Sequence, residues 1–164
     1  MVDDQLNDVS NVLWRERQLL EMLVFKLEEE QLVLASGRTR WLPHATREVE
    51  AILEQIRSLE LDRAVRVQSL AQELGASTDT SLRELSATAP APWDMIFVEH
   101  RNALLALAHE IDSVAQANRE LLARGQHATR EALAAIGELE TAAYTHSGQA
   151  TDRSMALRLI DEAL

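Results

Sequence analysis

Cysteine is absent from the chain, which removes disulfide bridges, thiolate metal sites and a cysteine nucleophile together. Only 3 prolines and 5 glycines punctuate 164 residues, and aromatics make up 4% against 46% hydrophobic residues overall. That composition favours an all-α protein over a β-sandwich or barrel. Lysine is nearly missing too: Lys26 stands alone among 16 basic residues, and the arginine and alanine bias reads as the trace of a GC-rich genome. No run of about 18 apolar residues occurs, so no membrane insertion is expected. The first residues bring Asp3 and Asp4 where an export signal would carry basic charge. A formal charge of −11 repels phosphate backbones and disfavours nucleic acid as a partner. The expectation is a soluble, unexported, cytoplasmic protein.

What the chain does have is heptad periodicity. Over residues 92–143, Phe97, Leu104, Ile111, Asn118, Gly125, Ala132 and Leu139 recur every seventh position, with His100, Leu107, Val114, Leu121, Ala128 and Ala135 three residues behind them. A period of 3.5 keeps one stripe of a helix against a partner helix. This segment is therefore read as one helix, roughly 75 Å long. Residues 3–36 carry Leu6, Leu13, Leu20, Leu27 and Leu34 on a broad face, and Gly37 supplies a stop. A basic turn with Arg38 and Arg40 leads into a second helix over about 40–75, whose start lies between Thr39 and Pro43 and whose stop is Gly75. Residues 76–91 are rich in Ser, Thr, Ala and Pro and read as a linker, in which Ser81 to Glu84 has capping-box spacing for one short helix.

The expected fold is an elongated antiparallel helical bundle or coiled coil of three long helices over residues 1–143. A tail follows over 144–164, with a short helix from about Thr151 or Asp152. A hairpin of roughly 55 Å covers only part of a helix of roughly 75 Å. The stripe of the long helix changes from large to small residues after Leu122, and this half is the expected partner site: Leu121, Leu122, Gly125, Ala128, Ala132, Ala135, Ile136 and Leu139. A further helix could lie in such a shallow apolar groove. The occupant could be the tail itself, residues 155–164, or an external partner. Homodimerisation through the uncovered seam stays open as well.

Catalytic patterns are not found. The residues three before the five histidines are Trp41, Phe97, Ala106, Arg124 and Ala143, so the Glu-x-x-His of a di-iron bundle does not occur. His109 and Glu110 begin a metalloprotease-like string, but Ser113 stands where its second histidine belongs. There is no glycine-rich phosphate loop and no nucleophile elbow. His100 and Asn118 lie on the seam and are read as core positions, the asparagine as a register-fixing residue. The chain is read as neither an enzyme nor a cofactor or metal carrier. A helical adaptor or signalling bundle that binds an unrelated partner helix remains an alternative.

The string WRERQLLEMLVFKLEEEQLVLASGRTRWLPHATREVEAILEQIRSLE (14–60), with EHRNALLAL (99–107) and QANRELLARG (116–125), resembles the FlgN-like flagellar export chaperones in their actinobacterial form. GRTRW, at its distance from LEEEQ, is the most specific part. The resemblance implies a cytosolic chaperone that binds the C-terminal helices of hook-associated proteins and keeps them from assembling prematurely. It also implies delivery to the export apparatus. The C-terminal half of the long helix is the region implicated in holding the substrate, which coincides with the small-residue groove.

Overall fold

The computed structural model describes residues 2–77 and 80–147, with side chains as far as Ala142. The helix expected from Thr151 or Asp152 onward lies outside the described residues. Among the described residues there are four α-helices: α1 (Val2–Ala35), α2 (Leu42–Glu73), α3 (Leu82–Thr88) and α4 (Trp93–Ser147). The chain divides into two units, Met1–Leu121 and Leu122–Leu164.

Local chemistry sets the helix ends. Asp3 and Asp4 sit in the first turn of α1, where negative charge meets the positive end of the helix dipole. Gly37 and Gly75, the two expected stops, both adopt φ of +68°, the left-handed conformation that closes a helix and strains any side chain. At Gly75 the closure is complete: its N–H donates to Gln72 O at 3.2 Å and that of Ala76 to Ala71 O at 2.8 Å. A single 3-10 turn, Thr39–Trp41, precedes α2, and Pro43 falls in the first turn of α2, where its missing N–H costs nothing. Ser81 caps α3 in the expected box: its hydroxyl accepts from Glu84 N–H at 3.2 Å while its own N–H donates to Glu84 Oε2 at 2.8 Å.

The first unit has two apolar cores. In one, Leu6, Val9 and Leu13 of α1 meet Leu70 of α2, Leu85 of α3 and Phe97 of α4. In the other, Leu23 and Leu27 of α1 meet Val49 and Ile56 of α2, with Ile111 and Val114 of α4 packed alongside. The early part of α1 thus faces the late part of α2, so these two are antiparallel, while α4 runs parallel to α1. Between the cores lies an ion pair: Glu16, 4% exposed, receives Arg63 Nη1 on both carboxylate oxygens, at 2.8 and 2.9 Å. Burial raises the Glu16 carboxyl above its ordinary value, and Arg63 pulls against that shift.

Two polar residues of α4 are buried on the seam. His100, 2% exposed, shares a hydrogen bond of 3.1 Å between Nε2 and Ser10 Oγ, and the Trp14 ring meets it edge-on at 5.2 Å. Asn118, 5% exposed, donates from Nδ2 to Leu27 O at 2.9 Å and to Glu30 Oε2 at 3.2 Å. Each places one polar atom, the imidazole Nε2 and the carboxamide Nδ2, against a partner inside the packed seam.

Leu13→Ala should cost about 2–5 kcal/mol in chemical denaturation, whereas Leu20→Ala and Leu107→Ala, both half-buried, should cost less. Desolvation, followed by the nearby Arg17 cation, lowers the His100 pKa from its ordinary value of 6.5, against a smaller opposing pull from Glu99. The unfolded chain therefore binds this proton more readily than the folded one. Stability should fall as pH drops below about 6.5, toward the folded pKa. Denaturation midpoints compared at neutral and mildly acid pH should show this loss, and His100→Gln should reduce it.

Candidate functional site

Along α4 the seam changes character where the first unit ends. Phe97, His100 and Asn118 are buried, and Leu104, Leu107, Ile111, Val114 and Leu121 are half-buried. From Leu122 to Ala142 every residue is exposed. The helix continues as a helix through this stretch because little in it opposes one: it has no proline, abundant alanine and two glycines, Gly125 and Gly137. The hydroxyls of Thr129 and Thr141 donate back to Gly125 O and Gly137 O, both at 2.9 Å, so they satisfy themselves along their own helix.

The expected site residues are placed as follows. Leu121 is half-buried at the end of the first unit. In the second unit, Gly125, Ala128, Ala132, Ala135, Ile136 and Leu139 fall on one face at helical spacing, with Leu122 on its flank. Ile136 is 39% exposed, Leu122 42% and Leu139 70%, and a Cβ added at Gly125 would meet nothing within 4 Å. The small side chains lower the surface between these larger ones, which lets a second helix axis approach closely. Leu133, 59% exposed, was missed by the sequence reading. It lies about three turns beyond Leu122 on the same flank and widens the apolar strip; its sequence signal was that i+11 spacing, which a strict heptad count passes over. His127 and Glu131 approach to 3.4 Å, and Glu131 borders the strip, one turn from both Ala128 and Ala135.

Among the described residues, no group of three or more His, Asp or Glu side chains is placed to hold a metal, and no helix is long and apolar enough to cross a membrane. The fold is an all-α bundle whose longest helix carries an exposed apolar strip. The family model described as FlgN protein matches residues 1–152, and the chain belongs to that family, one of flagellar export chaperones. No match was found among the curated proteins or among the solved structures.

Gly125→Ala should increase helix stability by up to about 1 kcal/mol without altering the first unit, since the position is helical and open. Circular dichroism during thermal melting measures this directly.

Proposed function

We propose that the chain is a cytoplasmic chaperone for hook-associated proteins, holding a C-terminal helix of such a subunit on the strip formed by Leu122, Gly125, Ala128, Ala132, Ala135, Ile136 and Leu139, with Leu121 at its edge. The observation that carries this reading is the uninterrupted exposure of residues 122–142 on a helix whose apolar stripe continues through them. Exposed apolar side chains in register along a helix are the complement of an amphipathic helix from elsewhere. Membership in a flagellar export chaperone family supports the choice of occupant.

The mechanism is occupancy. A subunit helix with an apolar face associates with other subunits unless that face is covered, and the chaperone strip covers it until the export apparatus takes the subunit over. Small residues suit a clamp that must let go, because contact area is modest where side chains are alanine and glycine. Release is aided further if the bound segment orders only on binding, since part of the interaction energy is then spent on ordering.

Ala132→Arg or Ala128→Arg should abolish binding to the C-terminal segments of hook-associated proteins in a calorimetric titration while helicity stays nearly unchanged. Both positions are exposed, so an arginine is accommodated in the free chain but blocks close approach of a partner helix. Undiminished binding in both variants would place the substrate elsewhere.

A further inference from the structure

The turn between α1 and α2 carries a second surface that the chaperone strip does not use. Between Glu30 and Glu48 the sequence has no acidic residue but has Arg38, Arg40 and Arg47, in a chain of net charge −11. Among the described residues none of these three guanidiniums reaches a carboxylate. Arg47 donates to Pro43 O at 3.0 Å and to His44 Nδ1 at 3.1 Å, and the Arg40 guanidinium lies 5.1 Å from the Trp41 ring centre. The neighbouring carboxylates are already engaged: Glu29 and Glu48 both hold Lys26, each at 2.7 Å, and Glu30 accepts from Thr46 at 2.7 Å. The cationic charge at the tip is therefore left uncompensated by its own fold.

The same tip exposes apolar surface. Leu32 is 71% exposed and Trp41 47%, and together with Val33, Ser36 and Arg38 they line a shallow groove. No residue of the 3-10 turn is buried, and the Trp41 side chain makes no cap for α2. Trp41 touches its neighbours Arg40 and His44, the latter at 5.7 Å between ring centres, and leaves about half of its surface open. Tryptophan and arginine side by side, partly desolvating one another, are the composition of a protein-binding hot spot.

We infer that this hairpin tip is a docking surface for an acidic protein segment that presents an apolar side chain, the side chain seating on Leu32 and Trp41 and its carboxylates meeting Arg38, Arg40 and Arg47. Charge complementarity selects the class. A nucleic acid or an anionic membrane would extend past the small basic patch onto the acidic side chains that flank it in the sequence, including Glu28 and Glu50. A short acidic peptide ends before it meets them.

The test is fluorescence anisotropy of a short labelled Asp/Glu peptide carrying one phenylalanine, titrated with the full chain at low salt, with an RNA oligonucleotide and phosphatidylserine vesicles titrated in parallel. Arg38→Glu combined with Arg40→Glu should weaken peptide binding by about tenfold or more, with unchanged circular dichroism, since both side chains are free of carboxylate partners. Added salt should weaken it too, and replacing the phenylalanine by serine should weaken it at constant charge. Absence of peptide binding, equal binding by the charge-reversed variant, or binding of the RNA or vesicles in preference to the peptide would overturn the inference. So would a change in oligomeric state on charge reversal, because a second copy would then be the occupant.

Discussion

The position of the long helix against the first depends on two side-chain hydrogen bonds placed far apart on one seam. His100 lies 90 residues beyond its partner Ser10, and Asn118 lies 91 beyond Leu27. Nearly equal offsets mean that α1 and α4 run parallel and stay in register between the two contacts. A slip of one turn would leave an imidazole and a carboxamide buried without partners, which costs more than the apolar contacts around them could recover. Leucines alone tolerate such a slip; polar groups in a seam do not. The register they specify brings Phe97 into the first core and Ile111 and Val114 beside the second, and Asn118 is the last buried residue of α4 among those described.

Much of the fold was legible because its signals are local. Seven-residue recurrence of Leu6, Leu13 and Leu27 marked a buried face, Gly37 and Gly75 marked stops because only a residue without Cβ takes left-handed φ freely, and Ser81 with Glu84 spelled a cap. What periodicity could not deliver was pairing at a distance. Glu16 and Arg63 sit 47 residues apart and read as ordinary surface charges until the hairpin closes on them. Nor could it rank burial within one broad apolar face: Leu13 and Leu27 are buried while Leu20 and Leu34, on the same seven-residue repeat, are half-buried.

The candidate strip was legible in outline for a related reason. A change from large to small residues along one stripe is visible in the sequence and says that the surface there is shallow, but shallow seams occur inside bundles as well as on them. Each residue from Leu122 to Ala142 is exposed in the free chain. The identity of an occupant is not encoded in alanine spacing at all, because small side chains give shape without chemical selectivity. It is family membership that directs attention to flagellar subunits. The basic turn differs in this respect. Its arginines and Trp41 carry chemistry, and the conformation adds that among the described residues the three guanidiniums meet no carboxylate.

Amide hydrogen exchange of the free chain, and of the chain saturated with the C-terminal segment of a hook-associated protein, tests the central claim most directly. The account predicts fast exchange over residues 122–142 in the free chain, slow exchange at the buried seam positions of α1 and α4, and new protection on binding confined to 122–142. Protection of that stretch already in the free chain, or protection on binding that appears elsewhere and leaves it unchanged, would contradict the assignment of the strip as the substrate site.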